Sequence, residues 1–283
     1  PNPSAESPAK PAPKPGIWRG WIRPLLTVIL VVTALRSSLI DWNDVPTGSM
    51  IPTVAVGDRI VVNKLAYGLN PPFNGPIVSL PLIPASFPNP LDPLPGAYWS
   101  APQRGDIVTF WKPDTDIQEQ PITDGGIRMV KRVVALPGDT VTLTPTTQKF
   151  GGRSFRFSKL TLNGEDATYT RHGPYTLVES ILGHTRIVQY DRNDPVAMKR
   201  HPRGLHPASL SFGPYTVPEN QYLMIGDNRD NSADGRFFGG VELSEITGKA
   251  KFVAVSFKGS FFRPNWSRFF KSFAPDLDES TED

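Results

Sequence analysis

Residues 126–143 read GIRMVKRVVALPGDTVTL, and the fold turns on this stretch. A β-branched run ends at Pro137-Gly138-Asp139, a turn signal, and a second short β run follows at once. It reads as a strand, a tight turn and a hairpin partner. Working outward, runs of the same kind recur at DRIVVNKL (58–65), RGDIVTFW (104–111), SKLTLNGE (158–165), NQYLMIGDN (220–228) and GKAKFVAVSF (248–257). No segment after residue 45 keeps a long helical period, so this part of the chain is expected to be mainly β.

The same stretch carries a candidate base. In an extended strand Met129 and Val133 share a face with Lys131. Apolar neighbours desolvate an amine and lower its pKa, as a general base near neutral pH requires. Arg132 points to the other face and can keep its charge there. The bland alternative is an exposed lysine at a strand edge. A nucleophile is offered by VPTGSMIPTVAVGD (45–58), where Ser49 lies between Gly48 and Met50, and Pro46 and Pro52 stiffen the approach and exit. Gly48 is expected to allow an unusual backbone turn. A serine hydroxyl needs a base, and the histidines all fall within residues 172–206, outside the ordered core strands. A Ser-His-Asp triad is therefore disfavoured.

Upstream lies the apolar run Leu25–Leu35, which widens to Trp21–Ile40 if Arg23 and Arg36 reach the interfaces. That window has the roughly 20 residues that a bilayer requires. Trp18, Trp21 and Trp42 flank it, Lys10, Lys14, Arg19 and Arg23 precede it, and Asp41 and Asp44 follow. The pattern predicts a membrane anchor with its N-terminus inside. A cleaved leader is disfavoured because the run ends TALRSS with no small-x-small site, and a core helix is disfavoured by the cationic, Trp-rich flanks.

A third stretch, GDNRDNSADGRFFGG (226–240), reads blandly as a long polar turn. As a calcium loop it fails, because the last ligand position falls on Val241. As a buried polar network it would use Ser232 to orient an amine, with Asp234 paired to Arg236. Composition excludes more than it assigns. The absence of cysteine removes disulfides and thiolate chemistry, and a net charge of +3 gives no argument for nucleic acid. No metal-like histidine spacing occurs, and neither a metal nor a cofactor is expected.

Taken together, PTGSMIPTVAVGDRIVVNKLAYG, RGDIVTFW, MVKRVVALPGD and GDNRDNSADGRFFGG, in this order after an anchor, resemble bacterial type I signal peptidases, membrane-bound serine endopeptidases with a Ser/Lys dyad. The resemblance implies Ser49 as nucleophile and Lys131 as base. It implies an oxyanion hole from the Ser49 N–H and the Thr47 hydroxyl, where many relatives have Ser. Ser232 would bond the lysine, Asp234 and Arg236 would form a supporting pair, and Gly226 would allow close backbone approach. Met50, Ile51 and Met129 are candidates for the small pockets that accept the substrate. The family fold is two antiparallel β-sheets with a β-rich insertion domain after a transmembrane helix.

The expected organisation is a disordered cytoplasmic N-terminus (1–16), one transmembrane helix (17–41), a catalytic core (42–144 and 220–260), an insertion domain (145–219), and a membrane-proximal aromatic, basic segment with an acidic tail (261–283). The Pro-rich apolar residues 71–102 read as a loop packed on its own domain, with a surface for lipid or substrate as the alternative. The implied partners are preprotein signal peptides and the lipid bilayer. The implied location is the bacterial cytoplasmic membrane with the catalytic domain on its outer side. Alternatives are a specialised Ser/Lys processing peptidase, such as a pilin-maturation enzyme, and an inactive anchored β-rich binding protein. A self-cleaving repressor is disfavoured by the anchor and by the lack of a helix-turn-helix pattern.

Overall fold

The computed structural model describes residues 16–69, 97–112, 127–200, 205–259 and 262–274. The expectations for residues 1–15, for most of the Pro-rich stretch and for the acidic end lie outside the described residues.

The chain begins with a π-helical turn over Trp18–Ile22 and α1 (Arg23–Ser38). Among the described residues sixteen strands follow: β1 (Ile40–Asp44), β2 (Asp58–Asn63), β3 (Gly68–Leu69), β4 (Ala97–Tyr98), β5 (Ile107–Trp111), β6 (Arg128–Ala135), β7 (Thr140–Phe150), β8 (Arg153–Leu162), β9 (Glu165–Asp166), β10 (Thr168–Arg171), β11 (Thr176–Ile181), β12 (His184–Gln189), β13 (Phe212–Thr216), β14 (Gln221–Ile225), β15 (Val241–Glu242) and β16 (Ile246–Ser256). Two single-turn helices, α2 (Pro207–Leu210) and α3 (Gly235–Phe238), and several 3-10 turns lie between them among the described residues. The mainly β expectation holds.

Seven strands form one antiparallel sheet in the order β1-β2-β16-β5-β6-β14-β15. A second sheet runs β13-β7-β8-β9, and a third β10-β11-β12. β6 lies deep in the first sheet and is covered on both faces. Val133 joins Val108, Phe110, Met224 and Phe238 in one cluster, and Val134 and Ala135 join Val141, Leu143, Leu160 and Leu162 in another. Burial on both faces explains why Val133, Val134 and Ala135, at the end of this strand, are apolar in succession instead of alternating.

One expectation at the opening stretch is overturned. β6 and β7 are not hairpin partners. Both edges of β6 are already paired, to β5 and β14, so the Leu136–Asp139 turn carries the chain into the second sheet. Asp139 closes that turn by accepting from the Leu136 N–H at 2.6 Å and from Arg104 Nη1 at 2.8 Å. Gly138 takes φ +82°, a value that disfavours side chains. β7 then pairs with β8 and β13. The expected insertion boundary at residue 145 therefore falls inside a continuous strand.

The helical start also differs from its expected extent. α1 ends at Ser38, and Ile40 opens β1, which pairs with β2 from Ile40↔Asn63 to Asp44↔Arg59. At 16 residues, α1 is about 24 Å long. Among the described residues no helix is long and apolar enough to cross a membrane. Among its described side chains Leu25, Leu26, Val28, Ile29, Val31 and Val32 are 48–60% exposed.

The three-stranded sheet holds Glu179 with no exposure, between Arg186 of β12 and Arg229 of the loop after β14. Burial pushes its carboxyl up, but the two guanidiniums outweigh that and hold it at about 2, against an ordinary 4.5. A depressed folded-state pKa means stability that is full above the ordinary value and lost as pH falls through the folded one. The shift corresponds to roughly 3 kcal/mol. Melting temperatures should therefore fall steeply between about pH 4.5 and 2. In Glu179→Gln the melting temperature should start lower and lose much of that slope.

Candidate active site

Ser49 sits in an irregular turn tied down from below. Met50 and Val54 are buried and pack with Val45, Ile60, Val62, Ile107 and Val253. The Val54 N–H donates to the Met50 carbonyl at 2.9 Å, and the Ile51 N–H reaches the Gly48 carbonyl at 3.3 Å. Gly48 lies in the bend that leads into this turn, without a left-handed conformation. Its missing side chain matters for space instead, since a Cβ there would lie 3.0 Å from Ile51 Cδ1.

β6 brings Lys131 to this turn. Lys131 is 2% exposed, and its Nζ lies 2.7 Å from Ser49 Oγ and 3.1 Å from the Val130 carbonyl. Burial lowers the pKa of the amine to about 8; Asp234 and Asp227 raise it, and Arg236 lowers it further. A group with that pKa is neutral about one time in ten at pH 7 and can then accept the hydroxyl proton. The alternative of an exposed strand-edge lysine is excluded.

The loop after β14 forms the opposite wall. Asn228 N–H donates to the Ser49 carbonyl at 3.0 Å, and its Nδ2 reaches the Gly48 carbonyl at 3.3 Å. A Cβ on Gly226 would meet Ser232 Oγ at 2.2 Å and the Ser49 carbonyl oxygen at 2.6 Å, so only glycine fits. Asp234 caps α3 and accepts from the Gly226 N–H at 2.9 Å. Arg236 donates Nε to Asp234 Oδ1 and Nη2 to Asp234 Oδ2, both at 2.8 Å, and Nη1 to the Arg229 carbonyl at 2.7 Å. Burial pushes the Asp234 carboxyl up, but Arg236 outweighs it and the net shift is downward.

Ser232 is brought to the site without the bond expected of it. Its Oγ is buried beside Gly226 and does not hydrogen-bond to Lys131. It leans on the Asp234 carboxylate, near enough to help lower its pKa but without ordinary hydrogen-bond geometry. The Ser49 N–H donates to no acceptor among the described residues, and Thr47 is exposed. Met50 is 1% exposed and belongs to the core, whereas Ile51 and Met129 are half-buried.

Sequence reasoning missed the partner of Arg132. Its Nε and Nη2 hold both carboxylate oxygens of Asp227, at 2.8 and 2.7 Å, and Thr53 Oγ1 donates to the same carboxylate at 2.5 Å. Asp227 stands beside Gly226 in a stretch already singled out, but nothing local marks it as a partner for a residue 95 positions away. Among the described residues no cluster of His, Asp and Glu is placed to hold a metal ion.

Residues 18–255 match the model of the family described as "Signal peptidase, peptidase S26". Signal peptidase I of Pseudomonas fluorescens is 31% identical over 255 residues, 85% of this chain and 74% of its own length. Signal peptidase I of Pseudomonas aeruginosa is 32% identical over 253 residues, with the same coverage of each chain. A solved signal peptidase I from Enterococcus faecalis overlaps 53% of this chain and 97% of its own, at 22% identity and a TM-score of 0.25, too loose an overlay to argue from.

Proposed function

The chain belongs to the peptidase S26 family, and from that premise we propose that it is a membrane-bound serine endopeptidase that removes signal peptides from preproteins. The observation that carries this reading is the 2.7 Å approach of a buried, pKa-lowered Lys131 Nζ to Ser49 Oγ. A hydroxyl nucleophile and a neutral amine base in hydrogen-bond contact, with no exposed charge between them, suit acyl transfer.

In the proposed mechanism, neutral Lys131 takes the Ser49 proton as Oγ attacks the scissile carbonyl. The oxyanion forms against the unengaged Ser49 N–H and the Thr47 hydroxyl. The lysinium then protonates the leaving amine, which departs with the mature protein. Lys131, neutral again, accepts a proton from water as the water attacks the acyl ester, and returns it to Ser49 Oγ. Asp234, Arg236, Asp227 and Arg132 take no part in proton transfer; they hold the walls that keep Lys131 dry. Ile51 and Met129, half-buried beside the pair, are the proposed walls for small substrate side chains, and Met50 supports them from the core.

Membrane attachment is part of the same reading. Leu25, Leu26, Val28, Val31 and Val32 of α1 are exposed apolar residues, and Trp18 and Trp21 are exposed in the turn before it. Trp42 pairs across to Val61, Val61 to Phe252, and the Phe252 ring lies 6.5 Å from Phe270. Trp42 and Phe270 are 62% and 74% exposed, so one stretch of the large sheet presents aromatic side chains outward beside α1. α1 alone is shorter than a hydrocarbon core of about 30 Å, so the reading needs the preceding turn Trp18–Ile22 to extend it or the bilayer to thin around it. The basic residues before α1 favour a cytoplasmic N-terminus, with the β domain on the outer side.

The test uses the protein in detergent with a purified preprotein bearing an intact signal peptide. A single cut after a small residue at the end of the signal peptide is expected, and an activated acyl probe should label Ser49. Failure to cut any preprotein, with no labelling of Ser49, would leave the inactive binding-protein alternative standing.

A further inference from the structure

The loop Gly226–Asp234 is held from two sides. On one side Asp227 takes Arg132 and Thr53, and Asn228 takes the Ser49 and Gly48 carbonyls. On the other side the next two residues turn to the segment between β9 and β13. Arg229 donates Nη1 to Glu179 Oε2 at 2.9 Å and Nη2 to Glu179 Oε1 at 2.6 Å. Asp230 accepts the Arg192 backbone N–H at 2.8 Å and its Nε at 3.0 Å, with Nη2 in contact as well. Between them the backbone is clamped, since the Gln189 N–H donates to the Asp227 carbonyl and the Arg229 N–H donates to the Gln189 carbonyl, both at 2.9 Å.

Every charged member of this junction is buried: Glu179 at 0%, Arg229 at 1%, Arg186 at 2%, Asp230 at 4% and Arg192 at 7% exposed. Glu179 is itself fixed by Arg186 Nε at 2.7 Å and by the Tyr169 hydroxyl at 2.7 Å. Ion pairs this dry are costly to form, because both charges leave water. Two of these pairs, Arg229–Glu179 and Arg192–Asp230, join the active-site loop to this segment at successive residues, which points to a positional task.

We infer that the sheet β10–β12 and its following turn act as a brace for the catalytic serine, with Glu179 and Arg192 as positioning residues that act through Arg229 and Asp230 on Asn228 and hence on the Ser49 carbonyl. This rests on Ser49 and Lys131 being the reacting pair. It gives the insertion a role in the chemistry, though none of its side chains touches the reacting atoms. Slackening the loop would move Ser49 from Lys131 and admit water to the amine. The groups facing Lys131 are Asp227 from the loop, Asp234 and Arg236 at the start of α3, and Ser49 itself. Since burial is what holds the Lys131 pKa down, hydration would raise it.

The test compares wild type, Glu179→Gln, Arg192→Lys and Ser49→Ala in preprotein cleavage across pH, with melting temperatures recorded alongside. Arg192→Lys keeps the charge but loses the forked contact, so it remains informative if Glu179→Gln does not fold. Both brace variants should lose about tenfold or more in kcat, a misplacement effect. KM should change less than twofold, and the acid limb of the rate profile should move to higher pH. Unchanged kcat and an unmoved limb in a variant that merely melts earlier would overturn the brace and leave the dyad intact. Cleavage by Ser49→Ala at the wild-type rate would instead overturn the dyad itself.

Discussion

Lys131→Ala should lower kcat for preprotein cleavage by about 10⁴–10⁶-fold, the range seen when one member of a nucleophile–base unit is removed. Ser49→Ala should fall in the same range, and the double variant should be little worse than either, because the pair acts as a unit. Lys131→Arg should not rescue, since a guanidinium stays protonated throughout the working range. The pH profile carries the sharper information. With the amine pKa lowered to about 8 by burial, the wild-type rate should rise about tenfold per pH unit below it and level off above. The base is active when neutral, so activity is lost on the acid side. Full cleavage by Lys131→Ala, or a wild-type rate flat from roughly pH 5 to 10, would remove lysine from the mechanism.

How much of this was legible in the sequence differs by kind of interaction. β5, β6, β14 and β16 announce themselves as β-branched runs between turn residues, because burial against a sheet leaves a local mark. The Ser49–Lys131 pairing is harder, since the two lie 82 positions apart. It was reached because each residue had a local signature, and the family resemblance joined them. Arg132–Asp227 and Glu179–Arg229 left no such trace. A charged residue destined for burial looks like a surface residue until its partner is known. β1 was hidden for another reason: IDWND has the polar residues of a loop and is stabilised by the edge of β2. The β6–β7 hairpin was misread because adjacency in sequence does not decide which edge is free. α3 was lost within a polar turn, as its single helical turn is fixed by the Asp234 cap and not by any period.

Arg236→Ala is expected to destabilise the protein by about 3–5 kcal/mol, as when one partner of a buried ion pair is removed. Arg236 and Asp234 have no exposed side-chain surface. Without the guanidinium, Asp234 would keep the Gly226 N–H and the backbone N–H of residue 236, at 2.9 and 3.2 Å, but no countercharge. The Arg229 carbonyl would lose its donor too, which loosens the loop at the brace. The same change acts on the base with a definite sign. Arg236 lowers the Lys131 pKa and Asp234 raises it, so removing Arg236 stabilises the lysinium and should move the acid limb of activity to higher pH. Asp234→Asn should move the limb the other way, at a similar stability cost, because it leaves Arg236 buried and unpaired. The double variant Asp234→Asn/Arg236→Met removes both charges together. Its stability loss should be well below the sum of the two single losses, and its acid limb should return towards the wild-type position. Strict additivity within about 0.5 kcal/mol, with no movement of the limb in any variant, would mean that the pair neither acts as a unit nor touches the electrostatics of Lys131.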